Sequence, residues 1–219
     1  MPCLELVPIT KTILLGATLA VFAVSMFALG NADAVSDFLS INKATVSSDA
    51  TEFTSAQFIV KGPIPEDGSG NAFGYGVISG SGLEAFAVTT THAGVLDSVA
   101  QNNDASNPVF HNHYVALQNS QLDDNGTELC PGLEVRDITF EEPGDVNVKS
   151  NKATMVNVPL EFEGTHSLFP EVEVDFSTDG DAGMAVSFTI DPVDGDGKTS
   201  LTDIQAVCIN DVAPAKHLK

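Results

Sequence analysis

The sequence predicts an all-β protein, an antiparallel β-sandwich of about nine short strands with one short C-terminal helix. Three observations predict it. Apolar and polar residues alternate with a period of two over several runs, as they do on strands whose successive side chains point to opposite faces. The runs are short, and breaks rich in Gly, Pro, Asn and Asp separate them. No amphipathic pattern of about 12 residues or more offers a helical layer to cover a sheet.

Taken along the chain, residues 35–52 (VSDFLSINKATVSSDATE) are small and polar, which fits a spacer or a weak first strand, and the core is expected to start at Phe53. Less regularly patterned strands are expected at Phe53–Lys61, Phe73–Ser79, Leu83–Thr91, Phe110–Leu117, Leu133–Phe140 and Asp145–Val148. The clearest alternation sets Val156, Val158, Leu160 and Phe162 against Asn157, Pro159, Glu161 and Glu163. A second run sets Val172, Val174 and Phe176 against Glu171, Glu173 and Asp175, and a third sets Met184, Val186, Phe188 and Ile190 against Ala185, Ser187 and Thr189. Proline cannot donate to a ladder, so Pro159 places its strand at an edge or at a bulge. Only Ser200–Asn210 reads as helical. Strands of this number and length suit an Ig-like or jelly-roll-like sandwich, a single domain over 53–219.

The chain of 219 residues carries 30 acidic against nine basic residues, a net charge of −21. Such a charge repels phosphate backbones and excludes nucleic acid as a partner. Residues 1–34 contain only Glu5, Asp33 and Lys11 among charged groups, so the acidity belongs to the remainder. Thr12–Gly30 is uncharged, and Ala32-Asp33-Ala34 has the small-x-small pattern of a signal-peptidase site. Residues 1–34 therefore read as a secretory signal or, because the stretch approaches the roughly 20 residues that span a bilayer, as a membrane anchor through 12–30. Either reading places the protein outside the cytoplasm, secreted or at the cell surface, where a surface protein is the expected partner. Of three cysteines, Cys3 lies in that segment, and Cys130 and Cys208 are expected to pair. Asn125-Gly126-Thr127 is an N-glycosylation sequon.

The most specific local motif is Pro192-Val193-Asp194-Gly195-Asp196-Gly197-Lys198-Thr199-Ser200-Leu201-Thr202-Asp203. Calcium takes six to eight oxygens, and EF-hand-type loops present them at alternating positions around a glycine at the sixth. With Gly197 in that place, Asp194, Asp196, the Lys198 carbonyl, Ser200 and Asp203 fall at ligand positions. The segment resembles one half of a dockerin, which implies a calcium loop leading into a short helix at Thr202–Val207. It departs from that pattern at position one, where Pro192 stands for Asp, and it occurs once rather than twice.

A second motif is Phe110-His111-Asn112-His113-Tyr114-Val115-Ala116-Leu117. On a strand, His111 and His113 share a face with Val115 and Leu117, so two imidazoles stand side by side at one end of a buried surface. Neutral imidazoles so spaced suit Zn or Cu, with His92 preferred as the third ligand and His166 as the alternative. A blue-copper site needs a histidine and a methionine soon after its cysteine, and the next histidine after Cys130 is His166. Hydrolase signatures (G-x-S-x-G, H-E-x-x-H) and a Gly-rich phosphate loop are absent from the sequence. Two functions therefore compete, with no catalytic set favouring an enzyme: an exported or cell-surface structural, adhesive or binding protein stabilised by calcium, and an exported transition-metal protein or metalloenzyme using His111 and His113.

Overall fold

Twelve strands make up the secondary structure of the described residues: β1 (Ile41–Ser48), β2 (Glu52–Val60), β3 (Ala72–Ser79), β4 (Phe86–His92), β5 (His111–Asn119), β6 (Leu133–Ile138), β7 (Asp145–Lys149), β8 (Lys152–Pro159), β9 (Glu161–Thr165), β10 (Glu173–Ser177), β11 (Ala182–Val193) and β12 (Ala206–Pro214). A computed structural model describes residues 36–80, 82–92, 108–123, 125–169, 171–193 and 204–219, all within the compact unit Asn31–Lys219. The targeting segment 12–30 and the ligand positions 194–203 of the calcium-like loop fall outside the described residues.

The all-β class holds, but the sandwich does not. Six strands close into a barrel in the order β11-β12-β6-β5-β4-β3, beside a four-stranded sheet β1-β2-β8-β7 and a two-stranded pair β10-β9. All the pairings between these strands are antiparallel. Alternation alone reports that a strand has one buried face; it does not report whether its sheet closes on itself.

Two apolar clusters show where the faces lie. Phe86, Val88, Val115, Leu117, Val186, Phe188 and Ile190, with Ile209 from β12, form the barrel interior. The outward residues of three of the same strands (Phe73, Tyr75 and Val77, Ala87, Tyr114 and Ala116) join Ala44, Phe58, Val60, Ala153 and Met155 of the four-stranded sheet in a second core. Strands β3, β4 and β5 are consequently buried on both faces. Tyr75 Oη donates to the Phe38 carbonyl and Tyr114 Oη to the Pro159 carbonyl, each at 2.7 Å, and burial pushes both phenols above their ordinary pKa, so they remain donors.

A six-stranded barrel is narrower than the eight-stranded barrels whose interior side chains just fill. Gly74 makes the room: a Cβ there would lie 2.8 Å from Phe188 Cζ and 2.7 Å from the Thr89 carbonyl oxygen. Gly74→Val is expected to cost about 1–3 kcal/mol through overpacking. A thermal midpoint equal to that of the unsubstituted protein would show that the interior is not filled as described.

Three further expectations are corrected. The helix expected over Ser200–Asn210 gives way to β12 from Ala206, because Val207 and Ile209 point into the barrel and the ring needs a strand between β11 and β6; tertiary closure overrides a weak local preference. The segment read as a spacer or weak first strand carries β1, so the core begins at Leu39 and Ile41 rather than at Phe53. The single long strand through Pro159 divides there: proline ends β8, which lies between β2 and β7 and is not an edge, and β9 starts at Glu161.

Candidate metal centre

The barrel register brings three histidines to one end of its interior. β4 and β5 pair so that Thr90 opposes His111 and Val88 opposes His113. Residues of period two from Val88 on β4 are Thr90 and His92, and from Val115 on β5 they are His113 and His111, so all three imidazoles share the inward face. Threonines on the other face of β4 help hold that register: Thr89 Oγ1 donates to the His111 carbonyl at 3.3 Å and Thr91 Oγ1 to the Pro108 carbonyl at 3.0 Å.

One ligand nitrogen from each of His92, His111 and His113 lies within 4.8 Å of the other two. Ring centroids are 4.6 Å apart for His111 and His113, 4.9 Å for His92 and His111, and 5.7 Å for His92 and His113. His111 and His113 are each 1% exposed, and His92 is half-buried. A zinc ion about 2.0–2.1 Å from each nitrogen would hold them about 3.3 Å apart in tetrahedral geometry, a contraction within reach of side-chain rotation.

The hydrogen bonds to the rings fix which nitrogen can bind. His113 Nδ1 lies 2.7 Å from the Thr139 carbonyl oxygen and His111 Nδ1 lies 3.2 Å from that of Val109. A carbonyl only accepts, so both Nδ1 atoms carry protons, and in the neutral imidazoles Nε2 holds the lone pair. Backbone carbonyls bound to the far nitrogen are the usual support of metal-ligating histidines, because they set tautomer and ring orientation. His92 Nε2 is 2.9 Å from Thr90 Oγ1, a hydroxyl able to donate or accept. Three nitrogen ligands suit Zn or Cu rather than calcium, and they leave a coordination position for water or an exogenous ligand.

The alternative third ligand does not join them. His166 Nδ1 accepts the backbone N–H groups of Leu168 and Phe169 at 3.0 and 3.3 Å, which caps a turn beyond β9. Cys130 and Cys208 form the expected disulfide. Asn125 is exposed on a turn where Asp123 Oδ1 accepts the amides of Asn125 and Thr127, each at 2.8 Å, and the Thr127 amide heads the hydrogen bonds that hold the Asp123 carboxyl below its ordinary pKa. Sequence reasoning missed Thr139 and Thr90 as supports: Thr139 reaches His113 only through the β5–β6 pairing, whereas Thr90, two residues before His92 on the same strand, could have been found from the shared face of i and i+2.

By geometry, then, the chain is a closed antiparallel barrel with a three-histidine cluster at one end. Compared with protein-family models, curated proteins and solved structures, it matches none.

Proposed function

We propose that this protein is an exported, disulfide-stabilised barrel that binds a Zn(II) or Cu(II) ion through His92, His111 and His113. The observation that carries this reading is the convergence of three imidazoles at one end of the barrel, two of them with Nδ1 committed to backbone carbonyls. Export is supported by the uncharged stretch 12–30, by a disulfide of the kind that persists in oxidising compartments, and by a sequon on an exposed turn. The structural or adhesive reading with calcium rests on Asp194, Asp196, Lys198, Ser200 and Asp203, and the same metal titration tests it.

Equilibrium dialysis against Zn, Cu and Ca, followed by elemental analysis, decides between the ions. One Zn or Cu per chain is expected, and Co(II) in the same place should show the intense visible absorption of a four-coordinate ion. Retention of Zn or Cu at full stoichiometry in the His111→Ala plus His113→Ala protein would overturn the assignment, as would a chain that takes up calcium alone.

A further inference from the structure

The four-stranded sheet ends in β7, whose outer edge accepts no hydrogen bond from another strand among the described residues. Its sequence is Asp145-Val146-Asn147-Val148-Lys149, with Asp145, Asn147 and Lys149 exposed and Val146 and Val148 half-buried against the core beneath. Read against itself in the antiparallel sense, this strand is self-complementary. With Asn147 opposite the partner's Asn147, Asp145 faces the partner's Lys149 and Val146 faces the partner's Val148.

We propose that the β7 edge is an interface between two copies of this chain, which joins their sheets into one of eight strands about a two-fold axis at Asn147. Backbone parity agrees. The turn Ser150–Asn151 closes on the pair Lys149 and Lys152, and residues flanking a two-residue hairpin turn form a hydrogen-bonded pair. Hydrogen-bonded pairs alternate along β7, so Lys149, Asn147 and Asp145 bond inward to β8 while the N–H and C=O of Val146 and Val148 point outward. In the symmetric register those are the groups that meet, giving four interchain hydrogen bonds.

Charge supplies the second argument. Lys149 stands directly opposite Lys152, and Lys43 and Lys152 both lie opposite Ile59, so three lysines share one cross-strand row on the outer face. Like charges directly opposite destabilise a sheet. The partner's Asp145 would enter that row beside Lys149 and offset the repulsion, and symmetry does this twice. Charges at both ends also guard the edge, because a slipped register or an unrelated strand leaves Asp145 or Lys149 without its complement. The half-buried valines would complete their burial against each other.

Five residues per edge make an interface below the standard size of about 1,600 Å², so the dimer is a reversible one. Sedimentation equilibrium of the purified full chain, up to on the order of 100 µM, should show monomer and dimer in exchange. Asp145→Lys and Lys149→Asp should each weaken association by about tenfold or more, and the two together should restore it, while Asn147→Cys should give an oxidised dimer linked through that position. A protein that stays monomeric over this range, a dimer indifferent to either single exchange, or a double exchange that fails to restore association overturns the proposal. Association through the apolar segment 12–30 would fall in the second of these outcomes.

Discussion

Replacing Cys130 and Cys208 together by serine is expected to lower stability by about 4–5 kcal/mol, since cross-linking residues 78 apart removes that much denatured-state entropy in the chain-entropy account. For a domain of this size the thermal midpoint should fall by roughly 10–15 °C. The bond also sits where the barrel is least well zipped. β12 meets β6 through only two register pairs, Cys208 with Glu134 and Ile209 with Leu133, whereas β11 meets β12 through seven. Closure of the ring at β6 and β12 is thus a short seam, and the disulfide fastens Cys208 on one side of it to Cys130 in the connection leading to the other. Around it, buried Glu134 accepts Gln118 Nε2, the Gln121 amide and Gln121 Nε2, and the Cys130 amide donates to Ser120 Oγ. Calorimetry before and after reduction measures the effect, and amide exchange should quicken first in β6 and β12. An unchanged midpoint in the serine protein would show that strand pairing alone closes the barrel.

That seam also shows why the sequence disclosed the class and not the architecture. Runs such as Met184 to Ile190 announce strands because period-two alternation is local, and β11 spans that run. Closure is a long-range property: whether β3 meets β11 depends on pairings such as Gly76 with Val186, far apart along the chain, and no local pattern encodes them. The first half of β12, Ala206–Asn210, reads as the end of a helix because it follows the dockerin-like loop, and the left-handed residue Asp211 interrupts the alternation that would mark the whole strand. β1 reads from the sequence only as a weak first strand or a spacer because its buried residues are few, Ile41 and Ala44 among polar neighbours. The histidine pair was legible for the opposite reason: two histidines two apart on a strand share a face wherever that strand goes. His92 is preferred to His166 as the third ligand on the sequence alone, but the geometry that joins it to the pair comes only from the β4–β5 register, a long-range pairing that no local pattern encodes.

The same geometry predicts that the three histidines contribute unequally to fold and equally to metal. At about 100 times its dissociation constant, a bound ion should stabilise the protein by about 2.7 kcal/mol, roughly 5–10 °C in thermal midpoint. That increment should disappear in His92→Ala, His111→Ala and His113→Ala alike, because two imidazoles cannot match the affinity of three. Without metal the variants should separate. His113→Ala removes the donor that the buried Thr139 carbonyl accepts at 2.7 Å and empties a fully buried site, so its metal-free form should lose about 2–4 kcal/mol. His92→Ala removes a ring that is only half-buried, with Nε2 2.9 Å from the rotatable Thr90 hydroxyl, and the smaller volume taken from the interior should make its cost lower than that of His113→Ala, about 1 kcal/mol. Measuring midpoints of all three variants with and without Zn separates ligation from packing. If His92→Ala kept the full metal-dependent increment while His111→Ala and His113→Ala lost it, the ion would be held by the His-x-His pair and groups other than His92, and the three-histidine centre would be wrong.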